Sequence, residues 1–459
     1  MQNIEFENRK KIHFTGIGGI SMSAIAQVLL SRGFSVTGSD SRKSGLTQQL
    51  ESEGAEIFIG QSGDNIAPDV DMVVYTAAIS RDNPELSKAR ELGIPCVTRA
   101  DFLGSLMKNY ETCVCVSGTH GKTTTTSMLS EVMLKADTDP TIMVGGILPS
   151  INGNTRIGSS GKFITEACEY TNSFLSFFPT IAIILNVKAD HLDFFKDIDD
   201  IRNSFREFAR LVPDDGALII NGEIDNLDYF TEGLGCRVIR FGRTPECEFR
   251  AENITFNELA CAEYDLHTDD GSIYHVELKI PGEHNVYNSM SAAAAAQVMG
   301  LNMEQAIRSI SEFCGVDRRF QYKGRIGGVT IIDDYAHHPD EIEATLKAAL
   351  NIPHKKLWVV FQPHTYTRTE AFMEEFADKL ALADEVVLAE IYAAREKNIH
   401  GISSQNIMKL IQEKGTQCHY YPTFDEIENF LLENCENGDV LITMGAGDVV
   451  LIGDSLLGR

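Results

Sequence analysis

Short apolar segments that end in glycine-rich turns recur along this chain, and each is followed by residues of helical periodicity. The apolar segment Lys11–Thr15 leads into one such turn, and the segment 112–116 leads into another. After the second turn, Met128, Leu129 and Val132 have the spacing of one helix face. Strands that alternate with helices are typical of parallel sheets, so the pattern predicts an α/β fold.

The alternation continues to the end of the chain, and the length of 459 residues predicts about three domains. Further strands are predicted at 34–40, 72–78, 163–166, 181–185, 329–333, Leu357–Phe361, Glu385–Leu388 and Val440–Met444. We expect a Rossmann-like N-terminal domain over 1–108 and a central P-loop-type ATPase domain with a parallel sheet over 109–321. A second Rossmann-like domain is expected over 322–459.

The turn after the segment 112–116 reads Ser-Gly-Thr-His-Gly-Lys-Thr and has the features of a phosphate-binding loop. In such loops backbone N–H groups and a helix N-terminus face the anion, here helped by the charge of Lys122 and the hydroxyl of Thr123. The spacing is shorter than usual, because Val116 stands where a glycine is common and Gly118 replaces it. The alternative is a glycine turn before an exposed lysine, but strand, turn and helix occur in the required order.

The first glycine-rich turn resembles the opening of a dinucleotide-binding fold. Gly16, Gly18 and Gly19 precede a helix, and the next strand ends at Asp40, whose carboxylate is placed to meet a ribose hydroxyl. The last position of the glycine pattern is Ser21, however. The turn therefore indicates a nucleotide-binding βαβ unit without identifying the nucleotide.

Composition excludes several classes of protein. A net charge of −26 argues against nucleic acid or an anionic membrane as partner. The chain has no apolar run of 18 residues and no signal peptide at its start, so we expect no membrane insertion. Ten cysteines without paired spacing favour reduced thiols and a cytoplasmic location. In so acidic a chain, basic residues at 120–122, 318–319, 364–368 and 395–400 point to an anionic ligand, with ordinary balancing of surface charge as the alternative for any single group.

Three polar residues follow predicted strands and are candidates for a metal-phosphate centre. The carboxyl ends of parallel strands collect ligand groups, so Thr123, Glu166 and His191 are expected to converge. Oxygen donors suit Mg²⁺, whereas a histidine ligand is better suited to Mn²⁺. A helix cap or a buried structural histidine remains the alternative for His191. His284 and Asn288, placed before a helix over 291–298, suit either an adenine edge or a helix cap.

Together these segments resemble one family, the Mur ligases of peptidoglycan synthesis. The segments that carry the resemblance are 13–22, 38–40, 118–124, 166–169, 190–193, 282–288, 318–320, 333–339 and 362–368. They occur in family order across essentially the whole chain. The opening glycine loop and the segment Asp-Asp-Tyr-Ala-His-His-Pro at 333–339 are most similar to the alanine-adding branch.

The resemblance implies that UDP-N-acetylmuramate and L-alanine are joined at the expense of ATP, with Mg²⁺ or Mn²⁺, by a monomer or homodimer. It implies an ATP site of Gly118, Thr119, His120, Gly121, Lys122, Thr123, Thr124, His284, Asn288, Arg319 and Asp334. It assigns the UDP-linked substrate, and not NAD, to Gly16, Gly18, Gly19, Ser21, Asp40 and Thr76. It assigns the amino acid to Tyr335, His337, His364 and Arg368. Catalysis is implied for Lys122, Glu166, His191 and Arg319, and metal binding for Thr123, Glu166 and His191.

The chain departs from the family at one position, and several functions remain as alternatives. Many Mur ligases carry a carbamylated lysine after the motif histidine, but the corresponding stretch here has Arg206 and no lysine. Within the family, a murein-tripeptide recycling ligase is the alternative. Outside it are a nicotinamide-dependent oxidoreductase, a P-loop motor or switch protein, and an inactive nucleotide-binding regulator. The preference among alanine, serine and glycine stays open.

Overall fold

The computed structural model describes residues 10–76, 79–192, 194–394 and 396–459. Asp193 of the segment 190–193 lies outside the described residues, and so do residues 1–9, which carry the expectation about a signal peptide. The chain divides into two compact units. The first consists of Met1–Lys188, Ile198–Phe241 and Ala294–Ala306, and the second of Ala189–Asp197, Gly242–Ala293 and Ile307–Arg459.

The first unit begins with a parallel sheet flanked by helices. Its elements are β1 Lys11–Thr15, α1 Ile20–Ser31, β2 Ser35–Asp40, α2 Gly45–Ser52, β3 Glu56–Ile59, β4 Met72–Tyr75, α3 Pro84–Glu91, β5 Cys96–Thr98 and α4 Arg99–Met107. The strand order is β3-β2-β1-β4-β5. Thr15 at the end of β1 pairs with Ser39 on β2. The glycine loop after β1 and the acidic end of β2 therefore lie side by side.

The same unit contains a second set of strands built around β6. Its elements are β6 Thr112–Ser117, α5 Lys122–Lys135, β7 Thr141–Leu148, β8 Gly153–Arg156, β9 Lys162–Glu166, β10 Ile181–Ile184, α6 Ile198–Ala209, β11 Ala217–Asn221, α7 Asp228–Thr231 and β12 Arg237–Gly242. They follow the order β12-β11-β10-β6-β9-β7-β8. Strand β6 is parallel to both neighbours, and Val114, Cys115 and Val116 are fully buried. Apolar residues on both faces are what a central parallel strand requires.

The second unit combines antiparallel strands with another mainly parallel sheet. The elements that follow β12 along the chain are β13 Phe249–Phe256, β14 Cys261–His267, β15 Ile273–Pro281, α8 His284–Val298, α9 Met303–Glu312, β16 Gln321–Ile326, β17 Val329–Asp334, α10 Pro339–Ala349, β18 Leu357–Phe361, α11 Tyr366–Ala371, α12 Met373–Leu380, β19 Glu385–Leu388, α13 Ser404–Glu413, β20 Gln417–Tyr420, α14 Phe424–Asn434, β21 Val440–Met444 and α15 Val450–Leu456. Among them, residues 294–298 of α8 and 303–306 of α9 belong to the first unit. The larger sheet has the order β16-β17-β21-β18-β19-β20, with β16 antiparallel. Strand β18 is buried along its whole length.

The predicted α/β fold class is confirmed, and two local predictions are wrong. Helix α8 begins at His284, not at 291, because Gly282 has a φ of +101° and the Asn285 side chain donates to the Pro281 carbonyl, which starts the helix earlier. Strand β4 ends at Tyr75, although the prediction ran to residue 78 and its last two residues lie outside the described part. No helix in the described ranges is long and apolar enough to cross a membrane.

Candidate functional site

The loop after β6 has the backbone of a phosphate-binding turn. Gly118 and Gly121 have φ values of +141° and +87°, which side chains disfavour. Gly121 is the N-cap of α5, and no side chain caps that helix, so its first N–H groups face outward from the turn. Asn186 fixes the loop, since its carbonyl accepts from the Thr119 N–H at 3.1 Å and its side-chain oxygen from the His120 N–H at 2.9 Å.

Lys122 is held by its own loop and by a buried carboxylate. Its Nζ donates to the Gly118 carbonyl at 2.5 Å, to the Thr119 carbonyl at 3.0 Å and to Glu169 at 3.0 Å. Burial opposes the charged lysine, but the nearby Glu169 outweighs it and raises the pKa of Lys122. Sequence reasoning missed Glu169, although it lies in the segment 166–169 that helped to carry the resemblance.

Glu166 lies at the end of β9, directly beside β6. Its register partner there is Val116, and its Oε1 accepts the backbone N–H of Gly145 at 2.5 Å. A Cβ at position 145 would lie 2.8 Å from that oxygen, so a side chain there would displace the Glu166 carboxylate. Thr123 follows Lys122 on the first turn of α5. The first unit therefore brings together a lysine, a threonine hydroxyl and two carboxylates around one helix N-terminus.

The first glycine loop is arranged differently. The Gly18 N–H donates to Asp40 Oδ2 at 2.9 Å, and a Cβ at Gly18 would lie 2.8 Å from the same oxygen. A Cβ at Gly16 would lie 3.3 Å from Thr76 Cγ2. Ser21 Oγ accepts a hydrogen bond from Arg99 Nη1 at 2.9 Å. The structure thus brings together the residues predicted to bind the UDP-linked substrate, and it adds Arg99.

A buried carboxylate accepts hydrogen bonds from the two strands next to this loop. Glu85, fully buried, accepts hydrogen bonds from Thr15 Oγ1 at 2.7 Å, Ser39 Oγ at 2.8 Å and Asn65 Nδ2 at 2.7 Å. Burial alone would raise the pKa of Glu85, but hydrogen bonds from His13, Asn65 and Thr15 lower it below its usual value. Glu85 was not predicted, because it lies on α3, far in sequence from the strands it joins.

In the second unit, His191 and Arg368 meet at one aspartate. Arg368 Nη2 lies 3.3 Å from Asp190 Oδ1, and the His191 N–H donates to the same oxygen at 2.7 Å. Burial would raise the pKa of Asp190, but electrostatic interactions with His191, Arg368 and His338 hold it well below its usual range. His191 has a φ of +52°, a strained value that recurs at functional positions. Asp190, inside the segment 190–193, was not among the predicted residues.

Other predicted residues of the second unit form one aromatic and basic cluster. The His337 and Tyr335 rings lie 5.4 Å apart, and the His337 and His364 rings 6.0 Å apart. Arg319 lies over the Tyr335 ring at 5.3 Å, and Arg368 Nη1 is 3.4 Å from His364 Nδ1. The residues predicted for the amino-acid cleft are therefore neighbours.

Asp334 closes the end of β17 beside this cluster. Its carboxylate accepts the backbone N–H groups of Phe320 at 2.8 Å and Ala336 at 2.7 Å. Burial raises the pKa of Asp334 to about 6, although Arg319 and these two hydrogen bonds act against the shift. Its role is therefore partly to fix the loops that carry Arg319 and Tyr335.

Three further predicted residues lie on helices α6 and α8. Asn288 lies one helical turn after His284 on α8, and its amide donates to Asn285 Oδ1 at 2.9 Å. Arg206, considered as a replacement for the carbamylated lysine, lies over the Tyr229 ring at 4.6 Å. The assignment of these residues to ATP or to charge compensation stays a prediction.

Three descriptions of one protein family match this chain in succession. "Mur ligase family, catalytic domain" matches residues 11–111, "Mur ligase middle domain" matches 116–296, and "Mur ligase, glutamate ligase domain" matches 318–447. The chain is 56% identical over 457 residues to the UDP-N-acetylmuramate–L-alanine ligase of Agathobacter rectalis, and 55% identical over 458 residues to that of Lachnospira eligens. Both matches cover 100% of each chain.

Solved structures agree with these relatives. The crystal structure of UDP-N-acetylmuramate-alanine ligase MurC from Thermotoga maritima is similar with a TM-score of 0.83 and 30% identity, over 98% of both chains. A murein peptide ligase from Psychrobacter arcticus is similar with a TM-score of 0.76 and 25% identity, also over 98% of both chains.

A phosphate-binding loop and a second nucleotide-type glycine loop within one α/β chain define a multidomain nucleotide-binding enzyme. The particular family is shown by the matches above: the chain belongs to the Mur ligase family. The resemblance stated from the sequence is confirmed, whereas the domain boundaries and the roles of single site residues stay predictions.

Proposed function

We propose that this chain is an ATP-dependent ligase that joins L-alanine to the lactyl carboxylate of UDP-N-acetylmuramate. The observation that carries the proposal is the loop at Gly118–Thr123, where Lys122 lies beside two carboxylates at an uncapped helix N-terminus. Such a site suits phosphoryl transfer, which depends on positioning and on charge stabilisation. The full-length relatives named for this reaction support the choice of substrates.

The first step activates the acid. An oxygen of the lactyl carboxylate attacks the γ-phosphorus of ATP, the bond from phosphorus to the β,γ-bridging oxygen breaks, and an acyl phosphate and ADP result. Lys122 and the backbone N–H groups of the loop neutralise charge on the phosphates. Because Lys122 donates to Glu169, part of its hydrogen bonding is exchanged when the triphosphate binds.

The second step forms the amide. The amine nitrogen of alanine attacks the acyl carbon, the bond from that carbon to the phosphate oxygen breaks, and the amine loses a proton to solvent. We assign the α-carboxylate of alanine to Arg368, since a guanidinium binds a carboxylate through two parallel hydrogen bonds. Tyr335, His337 and His364 are its neighbours, and they are proposed to limit the size of the side chain.

The oxygen donors of Thr123 and Glu166 fit a magnesium ion. Glu166 is already oriented by the Gly145 N–H, which leaves its second oxygen available to an ion. Bound there, the metal would supply a Lewis acid that neutralises phosphate oxygens. His191 is proposed to bind a second divalent ion, for which Mn²⁺ is also suited. His284 and Asn288 are proposed at the adenine, Arg319 at the γ-phosphate and Asp334 near the ribose.

A murein-tripeptide recycling ligase is the second candidate, supported by the similarity to the Psychrobacter arcticus protein. Measuring phosphate release with different acceptors distinguishes the two candidate activities. We expect turnover of UDP-N-acetylmuramate to require ATP and a divalent metal, and to be fastest with L-alanine among the standard amino acids. Faster release with UDP-N-acetylmuramate and L-Ala-γ-D-Glu-meso-diaminopimelate would instead assign the recycling activity. Release without any acceptor would contradict both.

A further inference from the structure

Arg99, in the first unit, has a hydrogen-bond partner that carries no charge. It is the first residue of α4, and its Nη1 donates to Ser21 Oγ, a neutral hydroxyl, at 2.9 Å. The guanidinium is withdrawn from solvent far enough that burial lowers the pKa of Arg99. Across the described ranges, no carboxylate forms an ion pair with it. A charge withdrawn from water is costly unless a partner of opposite charge compensates it.

Two groups with acidic protons near Arg99 in sequence or in space do not form an ion pair with it in the described residues. Asp101, two residues further along α4, accepts from Thr98 Oγ1 at 2.8 Å and from Ser176 Oγ at 2.7 Å. Cys168 interacts electrostatically with the guanidinium, but an ordinary thiol is neutral at pH 7. The part of the chain that the structure describes therefore gives Arg99 a hydroxyl acceptor but no ion-paired carboxylate.

The position of Arg99 on its own helix is also unfavourable. The N-terminus of a helix carries a partial positive charge, so a cation in the first turn is destabilising. A capping threonine, Thr98, and Asp101 already satisfy this helix end. Nothing in the helix itself therefore explains an arginine at this point.

The surroundings of Ser21 are suited to an anion. Ser21 lies in the first turn of α1, whose N-cap Gly19 provides no side-chain hydrogen bond, and that turn contains no acidic residue. Helix N-termini of this kind, placed after a glycine turn, bind phosphate groups. Arg99 adds a full positive charge beside these partial charges.

We propose that Arg99 binds an anionic oxygen group of the UDP-linked substrate beside the first glycine loop. The inference deepens the proposed function and relies on it for the identity of the substrate. Two groups of that substrate have the required chemistry, namely the pyrophosphate and the lactyl carboxylate. Arg99 is a binding residue that neither glycine motif contains.

The test compares the Arg99→Gln and Arg99→Lys variants with the wild type by calorimetric titration of UDP, UDP-N-acetylglucosamine and UDP-N-acetylmuramate. We expect the Kd to rise about 10- to 100-fold in Arg99→Gln, as for the loss of a charged hydrogen-bond donor, and less in Arg99→Lys. A loss shared by all three ligands assigns the pyrophosphate. A loss confined to UDP-N-acetylmuramate assigns the lactyl carboxylate. Unchanged Kd values for all three ligands would overturn the proposal.

Ligand-free stability separates binding from a structural role. If Arg99 serves the ligand, its removal relieves an uncompensated charge, so Arg99→Gln should melt at the same temperature as the wild type or higher. A lower melting temperature would contradict a binding role if the KM for ATP and for alanine also rose as much as the KM for the UDP-linked substrate. Arg32→Gln is the matched control, since Arg32 donates to Tyr110 Oη in the same unit and should leave every Kd unchanged.

The titrations remain informative if the proposed ligase reaction is wrong. Failure of the wild type to release phosphate with UDP-N-acetylmuramate and alanine would contradict the reaction alone. The dependence of UDP binding on Arg99 would still be measured, because the calorimetric titration of UDP requires no turnover.

Discussion

Two glycine loops in the first unit have the same strand–turn–helix plan but obtain their positive charge in different ways. In the loop after β6 the charge is part of the motif, since Lys122 is the first residue of α5 and is balanced by Glu169. In the loop after β1 no lysine follows the glycines, and the positive charge is instead the guanidinium of Arg99 on α4. One loop is complete within its local sequence, whereas the other depends on the tertiary fold.

The loops also use their carboxylates differently. Glu166 and Glu169 lie beside the phosphate loop, where they can meet a metal ion and a lysine. Asp40 instead accepts a backbone N–H of the first loop directly, and Glu85 fixes the two strands beneath it. Under the proposed function, the same backbone turn would serve a reacting triphosphate in one loop and a substrate that is only held in the other.

Removal of Lys122 should have the largest effect. We expect Lys122→Ala to lower the rate of phosphate release about 100- to 1000-fold, since it removes a charge that stabilises the transferred phosphoryl group. The variant leaves Glu169 buried without its lysine, so the double variant Lys122→Met/Glu169→Gln should recover thermal stability but not activity. Recovery of activity in the double variant would show that Lys122 only neutralises Glu169.

The second prediction tests whether the first loop needs its close packing. In Gly18→Ala the new Cβ would lie 2.8 Å from Asp40 Oδ2 and 3.0 Å from Thr47 Cγ2. We expect a lower melting temperature and a KM for the UDP-linked substrate raised about tenfold, which corresponds to roughly 1.4 kcal/mol. Gly19→Ala is the control for stability, because its Cβ would meet nothing nearer than 3.6 Å. Equal melting temperatures for the two variants would argue against this packing.

The third prediction concerns acid stability of the first unit. The folded-state pKa of Glu85 lies below its unfolded value of about 4.3, so its carboxylate stabilises the fold above that pH, and the stabilisation is lost as the pH falls further. Urea unfolding between pH 3 and 7 should show the wild type more stable than Glu85→Gln by about 1–3 kcal/mol near neutrality, with the difference shrinking in acid. Glu91→Gln, an exposed change on the same helix, should leave the profile unaltered.

The smallest effect is expected at Ser21. Ser21→Ala removes the hydroxyl that accepts from Arg99, a hydrogen bond whose loss should weaken binding of the UDP-linked substrate about two- to tenfold. The rate at saturating substrate should stay unchanged, because the residue lies in the holding loop and not at the phosphate loop. Titration and steady-state kinetics measure the two effects separately, and a fall in kcat without a change in KM would break the distinction between the loops.

How far the site follows from the sequence depends on how local each contact is. Gly118, Gly121 and Lys122 lie close together in sequence within one strand–turn–helix pattern, so their arrangement was predictable from periodicity. Glu85 and Arg99 act on residues dozens of positions away, and no local pattern marks either of them. The fold class followed from the alternation of elements. The start of α8 did not, since it depends on the backbone of Gly282 and on a capping side chain.

The pairing of Lys122 with Glu169 has a consequence for the form in which the nucleotide is accepted. The formal charges of Lys122, Glu166 and Glu169 sum to one negative charge, so under the proposed function these side chains disfavour a bare triphosphate. A triphosphate that arrives as a complex with a divalent cation carries less charge and brings a partner for the acidic side chains. Under the proposed function, the rate of the reaction would therefore depend on free magnesium as well as on ATP.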